Sequence, residues 1–129
     1  MREEKLGNET LFYDTYALYA IATGKESYME FSKGYKIMTG LMNLYEFYYI
    51  LAKENNKRLA EEFFNRLINS CIKIKPEIVK EAANFRLKEI KRKLSYVDCL
   101  GYIIAKMNNA PFLTGDASFK GLPNIKFIE

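Results

Sequence analysis

The sequence predicts a three-layer α/β/α domain, in which helices cover both faces of a mostly parallel sheet of five strands. Short apolar segments alternate with longer helical patterns along the whole chain, which is typical of β-α units. With 129 residues, of which 49% are hydrophobic, the chain can bury one substantial core. No low-complexity tract or internal repeat divides it. We therefore expect a single domain over residues 1–129, with residues 1–10 as a polar lead-in.

The first half of the chain contains two predicted strands and three predicted helices. Gly24 and Gly34 mark the ends of the two helical segments that follow the first strand. The helix after the second strand has apolar residues on more than one side, so we expect it to be largely buried. In chain order, these elements are a strand over Leu11–Tyr13, helices over Tyr16–Ala22 and Ser27–Ser32, a strand over Tyr35–Met38 and a helix over Leu41–Asn55.

The second half contains three predicted helices and three predicted strands. Pro76 takes the first position of a helix, where its missing N–H is not needed. In chain order, these elements are a helix over Arg58–Asn69, a strand over Cys71–Ile74, a helix from Pro76, a helix over Ser95–Met107, and strands over Pro111–Thr114 and Ile125–Ile128. The predicted core contacts of the first two of these helices are Leu59, Phe63, Leu67 and Ile68, then Ile78, Val79, Ala82, Ala83, Phe85 and Leu87.

The residue types that are missing exclude several chemistries. The chain has no His, and its two cysteines, Cys71 and Cys99, lack CxxC spacing, which argues against the usual zinc sites. The absence of His also removes the Ser-His and Cys-His arrangements of nucleophilic catalysis. A net charge of +4 favours a polyanionic partner.

The N-terminal segment and the hydropathy pattern bear on location. Met1–Thr10 is charged and polar, unlike a secretory signal, and no apolar run approaches the roughly 20 residues of a membrane span. We therefore expect a cytoplasmic protein with no membrane insertion.

Four carboxylates stand apart from all other charges in the chain. Asp14, Glu46, Asp98 and Asp116 are each the only charged residue in a long apolar or small-polar stretch. Burying a carboxylate is costly unless a counter-charge or a metal meets it, and a divalent cation is the simplest reason for four such burials. Asp14 and Asp116 also follow predicted strands directly, and open α/β sheets bind ligands at the carboxyl ends of their strands.

Each acid also has a structural interpretation. Asp98 fits a capping box with Ser95, Asp14 fits a helix cap, and Asp116 fits a turn after Thr114 and Gly115. Glu46 is harder to explain in this way, because the apolar residues on both sides of it leave little room for a solvated face. The spacing alone does not decide between these roles and a shared pocket.

The segments around the acids resemble those of a known family. They are Leu11–Thr15, Leu44–Glu46, Leu94–Asp98 leading into Ile103–Ala105, and Phe112–Asp116 with Phe119. In their succession and in the positions of their acids, they resemble the PIN-domain ribonucleases, most of all the VapC-type toxins, over nearly the whole chain. One position departs: many members carry a further acid shortly after the fourth, where this chain has Ala117, Ser118 and Phe119.

The resemblance implies a metal-dependent ribonuclease. Asp14, Asp98 and Asp116 would bind one or two Mg²⁺ or Mn²⁺ ions, which prefer oxygen ligands, and Glu46 would complete the shell or orient the attacking water. The hydroxyl residues Thr15, Thr114 and Ser118 are candidates to bond the ligands or a substrate phosphate. The missing fifth acid argues against a second metal position. VapC-type relatives form homodimers and are blocked by an antitoxin, so both partners are expectations for this chain.

Substrate contacts are less clearly marked. The densest basic run lies just before Asp98 and holds five cations, namely Arg86, Lys88, Lys91, Arg92 and Lys93. It is either a solvated helix face or a track for an RNA backbone. The tyrosines at 16, 19, 45, 48 and 49 either pack in the core or stack on bases.

Other classes fit less well. A receiver domain needs a pair of acids after its first strand, and a haloacid dehalogenase phosphatase needs a second Asp at the position of Tyr16. The remaining alternative keeps the fold without catalysis, as a PIN-like RNA-binding or assembly module.

Overall fold

A computed structural model describes residues 9–129, which form one α/β/α sandwich. The strands are β1 (Thr10–Tyr13), β2 (Lys36–Gly40), β3 (Cys71–Ile72), β4 (Phe112–Thr114) and β5 (Ile125–Phe127). The α-helices are α1 (Thr15–Ala22), α2 (Leu41–Lys53), α3 (Lys57–Leu67), α4 (Pro76–Lys88) and α5 (Tyr96–Met107). All pairs of neighbouring strands are parallel, in the order β3-β2-β1-β4-β5. The predicted fold class is confirmed.

The two faces of the sheet explain the two cores of the domain. Side chains alternate between faces along a strand, so Leu11 and Tyr13 point to one side of β1 and Phe12 points to the other. Leu11 and Tyr13 pack with α1, α2 and α3. Phe12 packs with α4 and α5, and its ring stacks on Phe112 of β4 at 5.4 Å between centroids. Helices therefore cover both faces, as predicted.

Several predicted boundaries were wrong by a few residues. The predicted helix over Ser27–Ser32 is a 3₁₀ helix, Glu26–Phe31. The third strand stops at Ile72 because its partner β2 ends at Gly40, where α2 begins. The helix predicted to reach Asn55 ends at Lys53, since Asn55 has a left-handed φ of 62°. Residues 1–8 of the predicted lead-in lie outside the described residues, and Thr10 already belongs to β1.

Part of the predicted core is also wrong. Val79, Ala83 and Leu87 of α4 are exposed, whereas Ile78 and Ala82 are buried. The helix buries only one stripe, against α5, and the neighbouring stripe stays in solvent. Ile68 is exposed as well, because α3 ends at Leu67 and a 3₁₀ turn follows. None of the helices in residues 9–129 has the length and apolar character that crossing a membrane requires.

Candidate active site

The ends of β1 and β4 place two of the predicted acids at the same edge of the sheet. The strands are neighbours in parallel register, with Tyr13 beside Leu113. Asp14 follows Tyr13 directly, and its N–H donates to the Leu113 carbonyl at 3.3 Å. Asp116 lies two residues beyond the end of β4. The sheet therefore brings these two acids to its carboxyl edge, the usual ligand edge of an open parallel sheet.

Asp14 is the most buried of the four predicted acids. Its side chain is 4% exposed, and its Oδ1 accepts the Ala17 N–H at 2.8 Å as the N-cap of α1. Burial raises the pKa of Asp14 to about 7. The charges of Asp98 and Asp116 raise this pKa further, while the Ala17 N–H and the Thr114 hydroxyl lower it. Asp14 is thus a cap and, at the same time, the centre of a cluster of like charges.

Asp98 reaches the cluster from the first turn of α5. Its Oδ2 accepts the Ser95 N–H at 2.9 Å, and its own N–H donates to Ser95 Oγ at 3.0 Å, which completes a capping box. Burial and, to a smaller extent, the charge of Asp116 raise the pKa of Asp98. The structural and functional interpretations of Asp98 are therefore compatible, because the cap fixes the side chain beside the other acids.

Thr114 joins Asp14 to Asp116. Its fully buried hydroxyl accepts the Asp116 N–H at 3.0 Å and bonds to the Asp14 side chain. Asp116 Oδ1 in turn accepts the Ser118 N–H at 2.9 Å, so this acid starts the 3₁₀ turn Ala117–Phe119. Thr114, predicted as a supporting hydroxyl, therefore contacts the side chain of Asp14 and the backbone of Asp116.

Glu46 is held by Thr15, the residue that follows Asp14 in the chain. The Thr15 hydroxyl donates to Glu46 Oε1 at 2.7 Å and accepts from Asn43 Nδ2 at 3.2 Å. Sequence reasoning missed Asn43, which is 3% exposed. Its signal is a polar side chain one helical turn before Glu46, in a helix that is otherwise apolar at its buried positions.

Three glycines make room for this arrangement. A Cβ at Gly40 would lie 2.9 Å from Asn43 Oδ1, and one at Gly101 would lie 3.1 Å from it. A Cβ at Gly115 would meet the Tyr16 ring and would lie 2.6 Å from the Ile128 carbonyl oxygen. The turn that delivers Asp116 therefore depends on the close approach of Tyr16 to the backbone.

The donor set has the chemistry of a site for a hard divalent cation. The charges of Asp98 and Asp116 raise the pKa of Asp14, the charge of Asp116 raises the pKa of Asp98, and a cation would relieve that repulsion. Oxygen donors suit Mg²⁺ and Mn²⁺. Within residues 9–129, no three Asp, Glu or Cys side chains are grouped so that they hold a metal ion as they stand. Charge and donor type fit such a cation, whereas the spacing of the side chains is not that of a preassembled cage.

The predicted basic run divides into internal and exposed members. Arg86 Nε donates to the Leu94 carbonyl at 2.9 Å. Arg92 pairs with Glu89 at 2.8 Å, and its Nη1 donates to the carbonyls of Ser118 at 3.1 Å and Lys120 at 2.7 Å. Arg92 therefore braces the segment that carries Asp116. The three lysines of the run are exposed, at positions 88, 91 and 93.

The predicted tyrosines are likewise divided. Tyr45 and Tyr49 are exposed, at 64% and 58%. Tyr48 donates to Glu61. Tyr16 and Tyr19 are half-buried and line a groove beside Thr15.

A parallel sheet of this order, with acids past the ends of two inner strands, defines an α/β protein with an acidic site at the sheet edge. The model of the PIN domain family matches residues 11–124. The chain belongs to the PIN domain family. No curated protein matches it significantly by sequence.

Solved structures with the same fold cover nearly the whole chain. VapC20 of Mycobacterium tuberculosis, a sarcin-ricin loop cleaving toxin, has a TM-score of 0.76 at 18% identity, over 92% of this chain and 99% of that one. A toxin-antitoxin complex from Klebsiella pneumoniae has a TM-score of 0.74 at 17% identity, over 90% and 95%. VapBC2 of Rickettsia felis, bound to a fragment of promoter DNA, has a TM-score of 0.68 at 20% identity, over 93% and 99%. At these identities, the similarity is one of fold.

Proposed function

We propose that the protein is an endoribonuclease that depends on Mg²⁺ or Mn²⁺ and hydrolyses RNA phosphodiester bonds. The observation that carries this proposal is the cluster of Asp14, Asp98 and Asp116, whose charges act on one another at the edge of the sheet. Among residues 9–129, none of these three acids forms a salt bridge, and a group of buried and half-buried acids without a basic partner is suited to a cation rather than to stability. Membership of the PIN domain family supports the same chemistry.

Each acid has a separate task in this proposal. Asp14, Asp98 and Asp116 hold the ion, and their capping bonds keep them in place before it binds. A bound divalent ion would supply positive charge for the phosphodiester and acidify water. Glu46, fixed on one oxygen by Thr15, would orient the attacking water for in-line attack.

The biological role proposed is that of a toxin in a toxin-antitoxin pair. Two of the similar structures are described as toxin-antitoxin or VapBC assemblies, and a third as a sarcin-ricin loop cleaving toxin. We therefore propose RNA as substrate, an antitoxin protein as inhibitor and a homodimer as the working form, inside the cytoplasm. The exposed lysines at 88, 91 and 93 are the candidates to contact the RNA backbone.

One observation favours a second candidate, an inactive PIN-like module that binds RNA or assembles with a partner. Ala117, Ser118 and Phe119 supply no carboxylate after Asp116, and the described acids do not form a preassembled metal cage. Such a module would keep the fold and the exposed lysines at 88, 91 and 93 without cutting RNA.

Cleavage of labelled structured RNAs by wild type and Asp98→Asn separates the two candidates. Asn keeps an acceptor for the Ser95 N–H, so the capping box and the fold are expected to survive. We expect wild type to cut with Mg²⁺ or Mn²⁺ and to stop with EDTA. Loss of one ligand charge should lower the rate of Asp98→Asn by at least about 100-fold. Glu62→Gln, which changes an exposed acid on α3 outside the cluster, is the control.

Two results would contradict the proposal. Equal cutting by wild type and Asp98→Asn would indicate a contaminating nuclease. No cutting by a folded wild type with either metal would leave the inactive module as the better description.

A further inference from the structure

A groove between α1 and α2 leads away from the acidic cluster. Its volume is about 460 Å³, within the usual range of small-ligand pockets. Thr15 lines the end of the groove that is nearest Asp14. The aromatic and charged side chains of the groove wall are Tyr16, Tyr19, Lys25 and Glu54. None of these four has a task in the proposed hydrolysis.

Two hydrogen bonds between helices fix the groove to the site. Thr15 donates to Glu46 Oε1 at 2.7 Å, and Tyr19 Oη donates to Glu54 Oε1 at 2.8 Å. Tyr19 lies one turn beyond Thr15 on α1, and Glu54 lies two turns beyond Glu46, just after the end of α2. The groove therefore begins beside Thr15 and Glu46 and extends along both helices.

The wall combines an aromatic surface with one charge of each sign. The Lys25 ammonium lies 5.7 Å from the centre of the Tyr16 ring. Tyr19 donates to one oxygen of the exposed Glu54 carboxylate. A carboxylate only accepts hydrogen bonds, and each of its oxygens has two acceptor sites, so both Glu54 oxygens can still accept from a ligand with adjacent N–H groups. Aromatic side chains with a few polar groups are the usual receptors for unstacked RNA bases.

We propose that this groove is the subsite for an unpaired guanine next to the phosphate that is cut. Tyr16 and Tyr19 contact the base, and Glu54 accepts hydrogen bonds from its Watson–Crick edge. Guanine is the only RNA base that presents two adjacent donors there, N1–H and the N2 amino group. Adenine and cytosine pair one donor with an acceptor that a carboxylate repels, and uracil places its single donor between two acceptors. The inference rests on the proposed ribonuclease function and specifies its substrate.

The test uses short RNAs that differ at one position, which is guanine, inosine or adenine. Inosine keeps N1–H and lacks only the amino group. Cleavage with Mn²⁺ is measured for wild type, Glu54→Gln and the control Glu62→Gln, an exposed Glu on α3. Binding of the same RNAs is measured by anisotropy in an Asp98→Asn background, with and without Glu54→Gln, so that it does not depend on cutting.

We expect wild type to prefer guanine over inosine by about tenfold at one position beside the cut, the usual size for one hydrogen bond to a charged group. Glu54→Gln should reduce that preference to about twofold or less, while Glu62→Gln should keep it. Equal melting temperatures of the three proteins exclude a folding defect.

The outcomes separate the subsite from the ribonuclease. If wild type cuts RNA without preferring guanine, or if Glu54→Gln keeps the preference, the guanine subsite is overturned and the ribonuclease stands. Guanine-selective binding without any cutting would overturn the ribonuclease and keep the subsite. Equal binding of all three RNAs, unchanged by Glu54→Gln, would overturn the subsite and would leave the groove to a protein partner.

Discussion

Asp14 shows how one residue can serve both folding and the proposed site. As the N-cap of α1, it satisfies the Ala17 N–H, a role that an uncharged Asn fills equally well. The charge of a buried carboxylate is therefore not needed for the cap. Its cost in the folded state is explained only if another charge, such as a metal ion, compensates for it.

The raised pKa of Asp14 predicts that stability falls with rising pH when no divalent ion is present. The folded protein keeps this proton up to pH about 7, whereas an unfolded Asp loses it near 3.8. Between those values the folded state binds more protons, so the free energy of unfolding decreases as pH rises, by an amount on the order of 4 kcal/mol. Urea unfolding in EDTA from pH 4 to 8 measures this slope.

Asp14→Asn is the matched variant for this prediction. It should remove most of the slope and be the more stable protein at pH 8, with Asp98, whose pKa is also raised, supplying the remainder. An unchanged slope in Asp14→Asn would show that another group titrates.

Asn43 shows what the sequence does not reveal at this scale. Its importance comes from contacts with Thr15, 28 residues earlier, and from space left by Gly40 and Gly101. The isolated acids were visible because a charge in an apolar stretch is rare. A neutral amide in a helix is common, so only the three-dimensional contacts identify it. The sequence contains one further signal: it has three aspartates, and all three are among the isolated acids.

At the scale of elements, the helix ends with strong local sequence signals were predicted correctly. Pro76 begins α4, and Ser95 caps α5, as their local chemistry predicts. The misses have tertiary causes. β3 is short because β2 has no more residues to pair with it, and the exposed stripe of α4 depends on which helix packs beside it. Neither cause can be read from local periodicity.

The basic segment before α5 yields a prediction that separates support from substrate binding. Arg92→Gln removes two hydrogen bonds to the carbonyls near Asp116, so it should lower both stability and cleavage rate, the stability by about 1–3 kcal/mol. The triple change of Lys88, Lys91 and Lys93 to Gln should leave melting nearly unchanged, weaken RNA binding and reduce its dependence on salt. Thermal melting and a salt titration of RNA binding measure both effects.

The two classes of variant serve as controls for each other. If Arg92→Gln melts like wild type, the brace on the Asp116 segment is unimportant. If the lysine variant binds RNA with the same salt slope as wild type, the RNA follows another face.

On the scale of the whole molecule, the acidic site couples α1, α5 and the segment after β4 at one edge of the sheet. The protein as a whole carries a net charge of +4, yet its acids at this edge repel one another. A polyanionic substrate would be attracted by the overall charge and repelled by the site itself. A divalent ion would resolve that opposition, so the charge distribution agrees with the proposed metal-dependent enzyme.

Metal binding should therefore stabilise the folded protein, and more strongly at pH 8 than at pH 5. The folded state alone gathers the carboxylates, so an ion at 100 times its dissociation constant adds about 2.7 kcal/mol to the free energy of unfolding. At pH 5 the proton on Asp14 competes with the ion, because the pKa of Asp14 is raised to about 7. Melting with Mn²⁺ or EDTA at both pH values, for wild type and Asp98→Asn, measures the effect. Mn²⁺ should raise the wild-type melting temperature at pH 8 and have a much smaller effect on the variant. An equal rise in both proteins would place the ion elsewhere, and no rise in either would favour the inactive module.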